Sequence, residues 1–232
     1  MRHADSQMLL TGTGWLSRTP PAFQRAMFDM VVWREVDAGS TIIMAGDNGG
    51  GLWAVARGQI DIVTALSTPD APPAHIGQPG SWWGAAPVFG RPRNASATTR
   101  TPALLAQFPL AGLNAMLVHE PGWWQYLGAL VLDLMELASG AASDLLIRNA
   151  RQRCIAVLLR VTDCRARDPL RPPPYSVTLS HSDLALMANL SRYPVGEILR
   201  DLDREGLIEL GYRTITVVDG ARLREIVDEQ YL

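Results

Sequence analysis

The run "LSHSDLALMANLSRYPVGEILRDLDREGLIELGYRTITVVDG", from Leu179 to Gly220, gathers the side chains best suited to chemistry. The chemistry on offer is recognition by hydrogen bonds. Ser180 and Ser191 each precede an apolar-periodic segment, where a hydroxyl and a helix N-terminus together suit a phosphate. Arg192, Tyr193, Glu197 and Arg200 share one helical face, with Gly196 among them. A guanidinium grips guanine with two hydrogen bonds, and a carboxylate accepts from a cytosine amino group. Arg213 follows in "GYR", inside a hairpin signal. Bond-making chemistry finds no matching pattern. His3, His75, His119 and His181 are not spaced as a metal set, which argues against an enzyme on a metal-holding barrel. Nucleophile, phosphate-loop and dinucleotide motifs are absent too. The expectation is no catalysis and no metal.

These side chains need a scaffold that presents them together. Ser180 reads as an N-cap with Asp183 in the capping-box position. Asn189 tolerates the left-handed conformation that a tight turn demands. Ser191 then caps a second helix, with Pro194 tolerated in its first turn. Val195, Ile198, Leu199 and Leu202 form its apolar face, and Gly206 ends it. "LIELGYRTITVV" reads as a β-hairpin. Helix, turn, helix and hairpin make a winged helix-turn-helix, whose second helix fits the major groove of double-stranded DNA. Residues 148–232 carry net +1 against net −3 for residues 1–147, which favours the C-terminal end for an anionic partner. A winged helix used only for protein contacts, or one that is a relic on a ligand-binding module, is the competing reading. Salt-sensitive, sequence-selective DNA binding separates them.

The 178 residues before it read differently. Hydrophobic residues at 47% supply real cores and exclude global disorder, and a net charge of −2 excludes a polybasic chain. All 21 basic residues are arginine. Cys154 and Cys164 form no C-x-x-C pair and suit neither zinc nor an iron–sulfur cluster. Residues 1–19 read as loosely structured, and Thr19-Pro20-Pro21 as a helix start. From Val31 to Pro109, short apolar runs cut by Gly, Asp and Pro predict seven or eight strands in a jelly-roll-like β-roll. "LAGLNAMLVHEP" then gives a short helix, and a long helix is predicted from about Trp123 to Thr162. Its Leu127, Val131, Leu134, Ala138, Ala141 and Leu145 step by the spacing of a coiled-coil seam, which predicts a homodimer. Asp133 and Glu136 interrupt its apolar run, so no membrane span and a cytoplasmic location are expected. A proline-rich segment, "RARDPLRPPPYS", precedes the recognition region. The fold class is α+β. The predicted domains are a sensor roll at 1–121, a dimerisation helix at 122–163 and a winged helix at 164–232.

In this order of parts, and in the 179–210 segment nearly position for position, the chain resembles the CRP/FNR superfamily of bacterial transcription regulators. The resemblance implies a homodimer that reads a two-fold DNA site, contacts RNA polymerase and senses a small-molecule effector through its roll. It also draws attention to "GQPGSWWGAAPVFGRPRNAS", Gly77 to Ser96. This stretch is similar to the family's phosphate-binding turn, where Glu takes the ribose hydroxyl and Arg the cyclic phosphate. Gly84 and Ser96 match, whereas Ala85 stands in the Glu position and Ala95 in the Arg position. Arg91, Arg93 and Arg100 lie near in sequence and are the alternative cations for that place. On the long helix, Ala138-Ser139 stands where cyclic-AMP members carry Thr-Ser. Cyclic AMP is therefore expected to bind weakly or not at all. The candidate effector pocket comprises Trp82, Trp83, Gly84, Ala85, Ser96 and Ser139, with Val88 and Phe89, and suits an apolar or aromatic ligand; the equal alternative is that Trp82 and Trp83 plug the cavity. No cofactor is expected; haem through His75 or His3, or thiol sensing through the cysteines, is the alternative. In the recognition helix, Tyr193 and Glu197 depart from the family's usual Glu and Arg, so its consensus half-site does not transfer.

Overall fold

The computed structural model describes residues 3–64, 72–165 and 173–229. Two units emerge, one up to Glu136 and one from Leu137 onward. The N-terminal segment is ordered, contrary to the sequence expectation. It forms helix α1 (His3–Gly12) and a 3-10 turn (Leu16–Arg18) before α2 (Pro21–Asp29). Only Ser6 and Leu10 of α1 are buried, so its apolar periodicity is too sparse to read. Its order comes from tertiary packing. Trp15 just beyond it is buried, packs edge-on to Phe23 and Trp82, and donates its indole N–H to the Tyr126 carbonyl at 2.6 Å.

Eight strands follow, as the turn spacing predicts: β1 (Val32–Val36), β2 (Thr41–Ile43), β3 (Leu52–Arg57), β4 (Ile60–Thr64), β5 (His75–Gly77), β6 (Trp82–Trp83), β7 (Ala95–Thr99) and β8 (Ala103–Phe108). They pair antiparallel in two four-stranded sheets, ordered β1-β8-β3-β6 and β2-β7-β4-β5. Strand side chains alternate between faces, and this divides the apolar residues between two cores. Trp53, Val55, Trp83, Ala103 and Leu105 face inward and meet Ile43, Ile60 and Ala97 of the second sheet. Leu52, Ala54, Trp82, Leu104, Ala106 and Phe108 face outward. There they pack under Leu10, Phe23, Met27, Leu113, Leu117, Leu127 and Leu130 from the helices. β3 and β8 are thus buried on both faces, which is why they read as continuous apolar runs.

The roll leads into α3 (Leu110–His119), a 3-10 turn at Pro121–Trp123, α4 (Trp124–Leu146) and α5 (Ala150–Val161). The single helix expected from Trp123 to Thr162 is therefore two helices. No Pro or Gly marks the break. Asn149 makes it, its side chain accepting from the N–H groups of Arg151 and Gln152 at 2.9 and 3.1 Å as an N-cap. Arg153 closes the other side, donating to the Ile147 and Ala188 carbonyls. From Cys154 to Val161 every residue of α5 is buried, so this helix is the centre of the second unit.

Around α5 lie β9 (Tyr175–Thr178), α6 (His181–Met187), α7 (Arg192–Arg204), β10 (Ile208–Gly211), β11 (Thr214–Val217) and α8 (Gly220–Asp228). The predicted hairpin is β10–β11, and β9, unforeseen, adds a third strand in the order β10-β11-β9. The proline-rich segment falls largely on residues 166–172, outside the described residues.

Candidate nucleic-acid interface and effector site

The helix-turn-helix forms as its local signals dictate. Ser180 caps α6: its Oγ accepts the Asp183 N–H at 3.0 Å, and Asp183 accepts the Ser180 N–H at 3.3 Å. Asn189 takes the left-handed conformation, φ 50°, that reverses the chain. Ser191 stands at the N-cap of α7, but its hydroxyl makes no capping bond. Val195, Leu199 and Leu202 are buried, and Ile198 is half-buried. Tyr193, Glu197 and Arg200 are exposed on the opposite face, Arg192 is exposed in the first turn, and Gly196 is half-buried among them.

The exposed cations differ in availability. Arg200 is engaged: it donates to the Gly196 carbonyl at 3.1 Å and pairs with Glu197. Arg204 pairs with Asp201. Among the described residues, the guanidinium groups of Arg192 and Arg213 have no hydrogen-bond or ion-pair partner, so both forks are open to an anion or a base edge. Arg213 sits at the wing tip with φ 54°, next to Tyr212, which is 94% exposed. Tyr193 is 76% exposed at the head of α7. An exposed aromatic beside an open guanidinium at a helix N-terminus has little internal role and is accessible to a partner.

In the roll, the adjacent tryptophans part company. Trp82 faces outward into the helical cover, stacked on Phe108 with ring centroids 5.1 Å apart. Trp83 faces inward, 3% exposed, and stacks on Trp53 at 6.3 Å. Ala85 and Val88 belong to the outward core, while Phe89 is exposed and touches the ring of Trp124. Ser96 Oγ accepts the Ala45 N–H at 3.0 Å. Ser139 lies exposed on α4 in the other unit. The structure thus groups Trp83 with the roll interior and Trp82 and Ala85 with the helices. Alternation along a strand is the signal in the sequence that separates the two tryptophans.

A residue the sequence left in the background dominates this turn. Arg93 is 3% exposed. Its Nη1 donates to the Gly84 carbonyl at 3.1 Å, and its Nη2 donates to the carbonyls of Gly51, at 2.8 Å, and Gly49. Ala95, expected in the arginine's place, opens β7 two residues later. Burial pushes the Arg93 guanidinium down from its usual range, against the pull of Asp47. The glycines make room for it. At Gly84, φ +86°, a Cβ would lie 2.6 Å from Arg93 Nη1. At Gly50, φ +87°, a Cβ would lie 3.0 Å from Arg93 Nη2. The indole N–H groups of Trp53 and Trp83 are buried without acceptors.

On α4, the predicted seam residues divide. Leu127 is buried in the roll's helical cover and Leu134 packs against it, while Ala141 is half-buried. Val131, Ala138 and Leu145 are exposed, and Trp124, Leu132, Met135 and Leu146 join them. Trp124, Gly128, Val131, Met135, Ala138, Ala142 and Leu145 step by alternating fours and threes, so a second heptad stripe runs beside the one read from sequence. The other candidates are quiet. Burial pushes the Cys154 thiol up to about 12, so it carries no thiolate at neutral pH. Cys164 is also buried. His75 is buried in β5, and His3 stacks on Trp33 at 5.2 Å. Among the described residues no group of three or more His, Cys, Asp or Glu is placed to hold a metal ion, and no helix is long and apolar enough to cross a membrane.

Comparison with known proteins bears on both units. The family model for a cyclic nucleotide-binding domain matches residues 33–120, and that for a Crp-like helix-turn-helix domain matches residues 152–226. A curated relative, the cyclic AMP receptor protein of Thermus thermophilus, is 31% identical over 191 residues, spanning 81% of this chain and 84% of that protein. Among solved structures, a CRP/FNR-family transcriptional regulator, also from Thermus thermophilus, superposes with TM-score 0.60 at 21% identity, covering 85% of this chain and 98% of that one. A c-di-GMP-responsive global regulator from Xanthomonas campestris also gives 0.60, at 20% identity, covering 85% of this chain and 99% of its own. The roll, the recognition helix and these matches agree: the chain belongs to the CRP/FNR family of DNA-binding transcription regulators and is not an enzyme.

Proposed function

We propose that the protein is a homodimeric, sequence-specific regulator whose roll answers to an effector other than cyclic AMP, or needs none. The observation that carries this reading is the phosphate-binding turn. Ala85 offers no carboxylate to a ribose hydroxyl and lies in the outward core. Arg93 is already held by three backbone carbonyls, and Trp53 and Trp83 occupy the space between the sheets. A cyclic nucleotide would have to displace these bonds and then leave its ribose unpaired, which costs free energy for every buried polar group so left. The named effectors of two relatives, cyclic AMP and c-di-GMP, support a family scaffold that has accommodated different ligands. Calorimetric titration with cyclic AMP is expected to give no binding in the micromolar range, and DNA affinity is expected to be the same with and without it. A micromolar Kd would overturn the effector reading and leave DNA binding untouched.

The exposed apolar stripe on α4 supports the dimer. Met135 is 55% exposed and Val131 40%, on a helix whose other face is already packed. An apolar patch of this kind on a soluble chain marks an interaction surface. Met135→Glu places a like charge against its copy across the seam. Sedimentation is expected to give a mass of two 25.3 kDa chains for the wild type and one for Met135→Glu. A monomeric wild type sinks the homodimer; an unchanged dimer in the variant moves the seam off α4.

A further inference from the structure

Glycine inside a helix destabilises it relative to alanine, because the unfolded chain has more freedom to lose. A helix-interior glycine therefore needs a reason. Gly112 in α3 has one, since a Cβ there would lie 2.9 Å from Met30 Sδ. Gly196 in α7 has none inside the chain. The nearest atom to a Cβ at that position is His181 Nδ1, at 3.7 Å, an ordinary van der Waals distance. Its backbone is helical and needs no left-handed conformation. Alanine would fit and would strengthen the helix.

The surroundings supply the reason. Gly196 lies at the middle of the face that carries Arg192 and Tyr193 on its N-terminal side. On its C-terminal side the Arg200 side chain folds back, donating to the Gly196 carbonyl and pairing with Glu197. The missing side chain leaves a dent flanked by the exposed Tyr193 and by this ion pair. The dent offers no donor, because mid-helix N–H groups are spent on the helix itself. A phosphate gains nothing there. An apolar group the size of a methyl does, and the major groove presents one such group, the C5-methyl of thymine.

We infer that Gly196 is a close-approach position at which α7 seats a thymine C5-methyl, so that thymine at one place in the half-site is specified by the absence of a side chain. This rests on the winged helix being the DNA reader. Arg192, whose guanidinium is open, then reads the neighbouring base on the N-terminal side of the dent.

The test begins with selection by the full-length protein from a library of random-sequence duplex DNA, which yields its preferred duplex. Gly196→Ala is expected to raise the thermal midpoint while weakening binding to that duplex by roughly tenfold. Affinity for random duplex should not change. Replacing thymines one at a time by deoxyuridine removes only the methyl. At one position this should weaken wild-type binding several-fold and cost Gly196→Ala nothing further. A Gly196→Ala protein that binds the selected duplex as tightly as wild type overturns the inference alone. So does a deoxyuridine series that penalises both proteins alike at every position. A library from which the wild type enriches no sequence overturns the DNA reading together with it.

Discussion

Arg192→Ala is expected to lose sequence-selective DNA binding while keeping a folded, salt-dependent affinity for any duplex. A bidentate contact to guanine discriminates by about 1–3 kcal/mol, which is roughly 5- to 150-fold in affinity per half-site. A dimer that reads two half-sites suffers the loss twice. Arg192 is singled out because its guanidinium is open. Arg200 and Arg204, on the same helix, already pair with Glu197 and Asp201. Arg192 opens α7, where a side chain reaches base edges while the helix terminus sits near the backbone. Folding should be unaffected, since the side chain is exposed and unpartnered among the described residues. Footprints that are unchanged in Arg192→Ala would remove this residue from the reading head.

Asp144→Ala is expected to destabilise the second unit by about 3–5 kcal/mol, the cost of taking one member from a buried ion pair. That is a large part of the roughly 5–15 kcal/mol that holds a domain folded. Asp144 projects from the last turn of α4, 2% exposed. Its Oδ2 accepts from Arg160 Nε at 3.0 Å, and its Oδ1 lies 3.6 Å from Arg165 Nε. Burial pushes the carboxyl up from the usual carboxylate range, and the two arginines pull it back only in part. The pair therefore costs desolvation that its attraction does not fully return. Removing Asp144 alone leaves the Arg160 guanidinium buried in α5 without its carboxylate. The double replacement Asp144→Leu with Arg160→Met removes both charges and should recover most of the loss. Chemical denaturation of the three proteins measures both effects. An Asp144→Ala protein as stable as wild type would mean that the pair is solvated and holds nothing.

The recognition head is legible in the sequence because its determinants are local. The Ser180–Asp183 capping box, Asn189 in the turn and the apolar period of α7 each act within a few residues. The strands of the roll are legible for the same reason, through their turns. What escapes is set at a distance. α1 has almost no apolar period, and it is ordered by the outward face of the first sheet. The break at Ile147–Asn149 lacks Pro and Gly, and its signal is a single Asn acting as a cap. On α4, Leu127 and Leu134 of the predicted stripe pack into the chain's own core, because a helix with two apolar stripes does not reveal which one that core takes. The arginine of the turn is Arg93, two residues before the position that Ala95 holds. Its importance follows from three carbonyls distant in the chain, at Gly49, Gly51 and Gly84.

The division of Trp82 from Trp83 makes the roll its own optical instrument. Trp53 and Trp83 form a near-parallel pair, 21° between planes, inside the barrel. Trp15 and Trp82 form a nearly perpendicular one, 76°, under the helices. Two coupled indole pairs in separate compartments report separately in near-ultraviolet circular dichroism. A ligand entering between the sheets disturbs the first signal, and a shift of the helical cover disturbs the second. The protein thus carries, without any label, the means to tell an occupied interior from a moved exterior.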